Sequence, residues 1–362
     1  METLSSVEQG IDNSARELMS FRGAALSREV LRDFSWAQAF KENKMELILV
    51  SNRDILIHTK SCSVYHSVGV LTEVGQFETK NDASAVFCIS NCKLPTYFLG
   101  RKVAKGTIIA TIDTTKAHDC SSEGAAMDRL KEEIGATSLA LRSLALGKEG
   151  GHRDDVDVSA AGIAVALCQW HRDHLFCGKC GSSTVDCRLG SRRICETNPG
   201  HKLYPRIDPV VIMLVVHPSG QRVLLGRSKK NAPGMYTCLS GFIDQGESIA
   251  DAVRREVLEE SNIQVKNSIE VFDSQPWPIG RGGSCELMIG CFAFAVTDEI
   301  KVCPEEMDDC CWVDADTLHA VLLRHHNRGD FQQKATHFSV PPPGAIAHQL
   351  MLYWIQNPMK FK

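Results

Sequence analysis

The 362-residue sequence lacks several features that would assign a protein to a broad class. No apolar run approaches the length needed to span a membrane, and there is neither an internal repeat nor a low-complexity tract. The net charge of −4 at pH 7 argues against a general nucleic-acid-binding surface. No signal peptide is recognisable. We therefore expect a cytoplasmic protein without a membrane partner.

Cysteine, by contrast, is abundant. Fifteen cysteines in a secreted chain would suggest disulfide bonds. Their odd number, the missing signal peptide and a Cys-x-x-Cys pair instead favour a reducing compartment, in which some of the thiols bind a metal ion.

The apolar residues predict an α/β protein. Short runs between residues 45 and 114 are separated by turn residues and predict the strands MELILVSN, DILIHTK, ASAVFCIS, TYFLGRKV and GTIIATID. Residues 157–174 have the apolar spacing of a helix, whereas the stretch SLALRSLALGKEGG at 138–151 resembles a connecting segment. Three later runs, PVVIMLVVH, QRVLLGR and ELMIGCFAFAV, are typical of strands covered on both faces.

An acidic helix is the most informative feature of the chain. Six residues fit the spacing G-x5-E-x7-R-E-u-x-E-E, where u is apolar: Gly241, Glu247, Arg255, Glu256, Glu259 and Glu260. Ser248 followed by Asp251 predicts a capped helix start, and the apolar spacing continues to Ser261. Carboxylates at four-residue spacing lie on one helix face and repel one another unless a cation lies among them, and oxygen ligands favour magnesium or manganese. The alternative is a solvated acidic surface.

This run resembles the Nudix box of the Nudix hydrolases. The family usually has glycine where this chain has Asn262. Asparagine tolerates the left-handed backbone conformation of a helix C-terminus, so we expect a mild loss of stability and an intact site.

The flanking residues resemble the NADH pyrophosphatase branch of that family. Ser-Gln-Pro-Trp-Pro at 274–278 resembles the signature of this branch, and similarity extends over most of residues 160–356. The glycine-rich segment 279–286 departs from the usual pattern, which puts substrate selectivity near it in question. The resemblance implies an N-terminal domain over 1–150, a connecting helix over 151–174, a zinc ribbon over 175–205 and a Nudix α/β/α sandwich over 206–357.

The zinc ribbon is predicted from cysteine spacing. Cys177 and Cys180 form a Cys-x-x-Cys knuckle, and fourteen residues separate Cys180 from Cys195. The resemblance implies a fourth cysteine shortly after Cys195, and none is present. His201 is the nearest suitable donor, and Cys187 is the alternative.

The resemblance also implies roles for individual residues. Glu256, Glu259 and Glu260 are expected to be catalytic. The expected magnesium ligands are Ser240, Glu256, Glu260 and Glu306, and the expected substrate-binding residues are Tyr204, Ser240, Gly241, Phe242, Glu256, Gln275, Trp277 and Glu306. Ordinary structural roles compete with three of these assignments. Glu306 could belong to a solvated face, Tyr204 could pack the ribbon onto the hydrolase domain, and Trp277 could be a core residue.

The sequence thus leads to two hypotheses. The first is a magnesium-dependent or manganese-dependent hydrolase that cleaves NADH to AMP and reduced nicotinamide mononucleotide, with NAD+, NADPH and NAD-capped RNA as further substrates. The second is a non-catalytic nucleotide-binding or RNA-binding module that retains the fold. The resemblance also implies a homodimer. Some relatives are peroxisomal, but the chain ends in Met-Lys-Phe-Lys instead of a Ser-Lys-Leu-type signal.

Overall fold

The computed structural model describes residues 26–27, 35–41, 45–59, 63–67, 71, 76–80, 84–89, 92–102, 107–115, 124–145, 155–280, 283–326 and 338–361. The chain divides into two compact units. One comprises Phe21–Ile207 with Trp277–Cys285, and the other comprises Asp208–Pro276 with Glu286–Lys362. No helix within the described ranges is long and apolar enough to cross a membrane.

The N-terminal unit contains a mixed sheet. Its described strands are β1 (Leu26–Ser27), β2 (Met45–Ser51), β3 (Asp54–His58), β4 (His66–Ser67), β5 (Gln76–Lys80), β6 (Ser84–Ile89), β7 (Cys92–Lys102), β8 (Ile108–Asp113) and β9 (Ala136–Ala140). The main order is β5-β6-β7-β8-β2-β3-β9, in which β2 and β8 are parallel. All five runs predicted between residues 45 and 114 form strands, which confirms the β-rich domain.

Alternation along the central strands places a core on each face of this sheet. Leu47 and Leu49 of β2 face one core, and Ile48 and Val50 face the other. The helices in the described part of this unit are α1 (Trp36–Lys41), α2 (Gly124–Glu133), α3 (Leu141–Ala145) and α4 (Asp155–Asp173). The second core is filled largely by α4, which covers the predicted helix.

The prediction of a connecting segment over 138–151 was wrong at residues 138–140, because these belong to the edge strand β9, which pairs with β3. The strand signal of β9 is short, and only two of the five residues of β9 are buried. Most of residues 1–45 lie outside the described residues.

A three-stranded ribbon follows α4 within the same unit. It consists of β10 (Thr184–Cys187), β11 (Arg192–Cys195) and β12 (Lys202–Leu203), all antiparallel. The turn between β10 and β11 has left-handed backbone conformations at Arg188, Leu189 and Gly190. Leu189 is buried in the first core of the sheet, and its carbonyl accepts a 3.0 Å hydrogen bond from Phe98 N–H. This turn anchors the ribbon to the N-terminal sheet.

The C-terminal unit is an α/β/α sandwich, as predicted. Its strands are β13 (Asp208–Val216), β14 (Arg222–Ser228), β15 (Leu239–Phe242), β16 (Glu270–Trp277), β17 (Glu286–Phe294) and β18 (Met307–Asp314). Its helices are α5 (Ile249–Ser261), α6 (Ala315–His326) and α7 (Ile346–Gln356), followed by a 3₁₀ turn at Pro358–Phe361. The order is β16-β17-β13-β14-β18, with β15 also paired to β13.

Central strand β13 explains why the sequence run is apolar throughout. Val211, Met213 and Val215 pack on the side of α5. The intervening residues face a core that contains α6 and α7. Because both faces are covered by helices, alternation of polar and apolar residues is absent, as expected for a buried strand.

Candidate active site and metal centre

Helix α5 is the element that positions the acidic side chains. Ser248 is its N-cap, and a reciprocal pair of hydrogen bonds joins it to Asp251, so the predicted capping box is confirmed. Ala252, Val253 and Val257 fix the apolar side of the helix in the core. Three glutamates of α5 are thereby directed toward strand β15 and the loop that follows it.

The helix ends where the resemblance predicts it to end. Asn262 is the C-cap, with φ of 62° and ψ of 14°, and its N–H bonds to the carbonyl of Leu258 at 2.8 Å. This left-handed conformation is the one that glycine would adopt most easily. The replacement of glycine by asparagine therefore preserves the local fold.

Glu256 and Glu260 are acidic groups with little access to water. Their exposures are 8% and 7%. Burial raises the pKa of Glu260 to about 8, with a further increase from the charge of Glu256, while a backbone hydrogen bond from Ser240 opposes it. Burial also raises the pKa of Glu256, which Arg255 counteracts. These carboxylates are held in a setting that disfavours unpaired negative charge.

Arg255 connects the loop to the helix. Its guanidinium donates to both carboxylate oxygens of Glu247, at 2.7 and 2.9 Å, and to the carbonyl of Phe242 at 2.9 Å. It also donates to Glu256 at 2.7 Å and to Glu259 at 3.0 Å. The hydrogen bonds from Arg255, followed by one from Asp244 N–H, lower the pKa of Glu247 to about 2.

Sequence analysis gave Glu247 no role beyond its place in the motif. The structure shows it as the carboxylate that orients Arg255, because it accepts a paired set of hydrogen bonds from the guanidinium. Glu247 precedes the helix, so helical spacing alone could not reveal this contact.

Backbone packing at Gly241 brings strand β15 against the helix. A Cβ atom at Gly241 would lie 1.9 Å from Cδ of Glu256. Gly241 pairs with Val211 of the central strand, so it cannot easily move away. Ser240 and Phe242 flank this contact, and Phe242 is half exposed. The structure therefore gathers Ser240, Gly241 and Phe242 beside the acidic cluster.

Glu306 approaches the same cluster from the loop before β18. Its charge contributes to raising the pKa values of both Glu256 and Glu260. The glutamate is exposed. Glu306 could have belonged to a solvated face without any role in the site. Its side chain does face solvent, but its charge also acts on the buried carboxylates Glu256 and Glu260.

The donor set suits a hard divalent cation. Glu260 Oε2 is buried and has no hydrogen-bond partner within the described part of the chain. A buried carboxylate oxygen without a donor is costly unless a cation is bound beside it. The neighbouring groups are also oxygen donors, which magnesium and manganese prefer over sulfur or nitrogen.

A second candidate metal centre lies in the ribbon. Single donor atoms from Cys177, Cys180, Cys195 and His201 all lie within 4.8 Å of one another. Cys177 Sγ is 3.5 Å from His201 Nδ1, and Cys180 Sγ is 3.5 Å from Cys195 Sγ. Two thiolates about 2.3 Å from one tetrahedral zinc ion would lie about 3.8 Å apart, so the four donors fit such an ion.

The geometry distinguishes between the two possible fourth ligands. Cys187 accepts a hydrogen bond from Arg192 Nε at 3.3 Å and is absent from the four-donor cluster. His171 and His174 are also outside it. His171 is buried and stacks on Tyr97, and His174 Nδ1 lies 2.8 Å from the carbonyl of Trp170. His201 is the residue that completes the set.

The branch signature has residues in both units. Gln275 is 1% exposed, accepts a hydrogen bond from Ile346 N–H and donates one to Gly344 O. Gln275 thereby provides a hydrogen-bond acceptor for a backbone N–H in the first turn of α7, because the N-cap residue Ala345 has no side chain that could accept one. Trp277 is half-buried against the second core of the N-terminal unit. Tyr204 is 59% exposed in the ribbon. Substrate contact by these three residues stays a prediction.

Comparison with known proteins gives a consistent picture. The NUDIX domain family matches residues 206–334. Human NAD-capped RNA hydrolase NUDT12 is 45% identical over 203 residues, covering 54% of this chain and 41% of the relative. Nudix hydrolase 19, chloroplastic, from Arabidopsis thaliana is 36% identical over 293 residues, with coverages of 72% and 64%.

Human NAD(P)H pyrophosphatase NUDT13, mitochondrial, is 37% identical over 203 residues, or 56% of each chain. The chain spans 41% to 64% of the length of these relatives. Residues 206–334 include helix α5 with Arg255, and strand β15 with the half-exposed Phe242. Residues 206–334 of the chain are therefore a Nudix domain, and the chain is similar to relatives that include an NAD-capped RNA hydrolase and an NAD(P)H pyrophosphatase.

Proposed function

We propose that this protein hydrolyses the pyrophosphate bond of NADH and gives AMP and reduced nicotinamide mononucleotide. NAD+, NADPH and the 5′ ends of NAD-capped RNA share the same bridge and are further candidate substrates. The observation that carries the proposal is the cluster of Glu256, Glu259 and Glu260 on α5, in which Arg255 contacts the first two and the charges of Glu256 and Glu259 act on Glu260. The names of the relatives support the same substrate class.

Magnesium or manganese would be held by Glu256, Glu260, Glu306 and the backbone of Ser240. When bound, such a cation neutralises phosphate oxygens and lowers the pKa of a water molecule. Zinc would be held in the ribbon by Cys177, Cys180, Cys195 and His201, where it would stabilise the fold.

Arg255 and Glu259 have separate roles in the proposed reaction. Arg255 fixes the orientation of Glu256 and Glu259, because its guanidinium contacts both while Glu247 holds it from the other side. Glu259 is the most exposed of the three helix carboxylates, and its side chain is 56% exposed. Glu259 is therefore the carboxylate best able to accept a proton from an attacking water. The oxygen of that water would bond to one phosphorus while the bridging P–O bond breaks and the other mononucleotide leaves.

A non-catalytic binding module is the competing function. It would have no need for a buried carboxylate with an unpartnered oxygen, which costs free energy unless a cation compensates it. We also propose a homodimer and a cytoplasmic location, both of which follow from the resemblance and the sequence and rest on no contact in the structure.

Incubation of the purified protein with NADH and magnesium, followed by chromatographic separation of products, tests the proposal. AMP and reduced nicotinamide mononucleotide are expected from the native protein. Glu259→Gln should bind NADH with little change and turn it over at least about 100-fold more slowly. NADH binding by the native protein without product formation would favour the binding module.

A further inference from the structure

One face of the ribbon carries exposed groups that, apart from Tyr204, have no role in the expected active site. Residues directly opposite each other in an antiparallel sheet lie on the same face, and residues alternate between faces along each strand. Applied to the observed register, this places Val185, Cys187, Arg192, Ile194 and Lys202 together, and a hydrogen bond from Arg192 adds Tyr204, which follows β12, to the set. We call this set the outer face of the ribbon.

The opposite face points inward. Thr184, Arg193 and Cys195 alternate with members of the outer face and are buried. Arg193 is fixed there by hydrogen bonds to both Thr184 oxygens, at 2.7 and 2.6 Å. The ribbon thus has one side committed to packing and another whose side chains are available to a ligand.

An aromatic ring and a guanidinium are held together on the outer face. Arg192 donates a hydrogen bond from one terminal nitrogen to Tyr204 Oη at 3.4 Å, and another from Nε to Cys187 Sγ at 3.3 Å. Tyr204 remains 59% exposed. Planar groups of these two kinds are surfaces on which unpaired bases stack.

A second aromatic residue extends this surface toward the metal centre. Phe176 pairs with Ser183, two residues before Val185, which gives Phe176 the same orientation as the outer face. Its side chain is 66% exposed. Phe176 and Tyr204 are offset by about 13 Å along the strands and by about 14 Å across them, because three strand spacings separate the two residues.

The charge of the ribbon differs in sign from that of the whole chain. Residues 175–207 contain six Lys or Arg and two Asp or Glu, a net charge of +4, whereas the chain has −4. A zinc ion with three thiolates would contribute −1 and leave the ribbon at +3. Of the two acids, Asp186 belongs to the opposite face, whereas Glu196 follows β11 two residues after Ile194 and lies on the outer face opposite Ser183. Exposed aromatics among cations favour a polyanion with bases over an acidic peptide.

We propose that the outer face of the ribbon binds single-stranded RNA, namely the nucleotides that follow an NAD cap. The identification of this RNA as capped rests on the proposed function, whereas binding of the strand itself does not. Tyr204 and Phe176 supply stacking surfaces, and Arg192 and Lys202 contact phosphates. The overall negative charge of the chain restricts such binding to this local surface.

Fluorescence anisotropy with a labelled 5′-hydroxyl single-stranded RNA of about twelve nucleotides tests the proposal, because this probe has no cap. The double variant Arg192→Gln with Lys202→Gln should bind about tenfold more weakly than the native protein. Its plot of log affinity against log salt should be less steep by about 1.4, the value for two phosphate contacts on a single strand. Hydrolysis of NADH should be unchanged.

Lys266→Gln with Lys301→Gln is the matched control, since it removes two exposed lysines from the other unit. Lys202→Gln alone removes an exposed side chain and keeps the measurement interpretable if the double variant folds poorly. The native protein should also prefer the single strand over the same sequence in a duplex, where the bases cannot stack on Tyr204.

Equal RNA affinity of the native protein, the ribbon variant and the control variant would overturn the inference, as would equal affinity for duplex and single strand. The proposed function fails separately. If the native protein bound the probe through Arg192 and Lys202 but produced no AMP from NADH, the ribbon inference would stand and the catalytic proposal would not.

Discussion

Gly241 lies against the carboxylate of Glu256 so closely that a Cβ atom on the glycine would be 1.9 Å from Glu256 Cδ. The contact joins strand β15 to helix α5 at the point where the acidic groups converge. Because the strand is paired to β13 and the helix is packed in the core, neither side can shift without disturbing other contacts.

Gly241→Ala should therefore displace Glu256 and reduce kcat/KM for NADH by at least about 100-fold, since misplacing a catalytic group by about 1 Å has an effect of that size. Ser240→Ala is the neighbouring control. It removes a hydroxyl and leaves the backbone hydrogen bond to Glu260, so near-native kinetics are expected. An alanine at 241 with native kinetics would show that the close approach is unimportant.

Glu306 and Glu305 form a second matched pair. Both are exposed and adjacent, but Glu306 is the one whose charge acts on Glu256 and Glu260. Glu306→Gln should lower kcat/KM for NADH by about tenfold or more and raise the magnesium concentration required, because one proposed ligand loses its charge. Glu305→Gln should behave as the native protein does. Similar losses in both variants would remove Glu306 from the proposed site.

The fourth zinc ligand is testable through metal content. His201→Ala should bring zinc well below one ion per chain and lower the melting temperature by about 5 °C or more, since a structural zinc contributes directly to folding. Cys187→Ser should keep the native zinc content because Cys187 is outside the four-donor cluster. Loss of zinc in Cys187→Ser alone would reverse the assignment.

His171 should make stability depend on pH. Burial lowers its pKa to about 3, although a hydrogen bond to Gly190 opposes this. The folded state then binds fewer protons than the unfolded state, so stability is full above about pH 6.5 and declines as pH falls toward 3. The expected loss at pH 5 is about 2 kcal/mol.

Denaturant unfolding at pH 7 and pH 5 measures this difference. In His171→Gln, the part of the difference in unfolding free energy between pH 7 and pH 5 that comes from His171 should disappear. This holds however much stability the variant loses at pH 7 because of altered packing. His174→Gln, on the same helix but only half-buried, is the control. An undiminished pH dependence in His171→Gln would contradict the assignment.

The sequence anticipates those elements that local chemistry determines. The capping box at Ser248, the acidic face of α5 and the left-handed C-cap at Asn262 all depend on neighbouring residues, and each is found as expected. Strand β13 was identifiable because burial on both faces leaves a continuous apolar run.

Long-range relationships were beyond the sequence. The close approach of Gly241 to Glu256, the hydrogen bonds between Gln275 and the entry of α7, and strand β9 all depend on tertiary packing. The choice of His201 over Cys187 depends on how the ribbon turn orients each side chain, which spacing alone leaves undetermined.

The central claim is that the acidic cluster hydrolyses a dinucleotide pyrophosphate with a divalent cation, and phosphorus NMR of NADH tests it most directly. With native protein and magnesium, the pyrophosphate resonances should be replaced by two phosphomonoester resonances, whereas a chelator or the Glu259→Gln substitution should leave them intact. Persistence of the pyrophosphate resonances with native protein and magnesium would contradict the account, as would undiminished cleavage by Glu259→Gln.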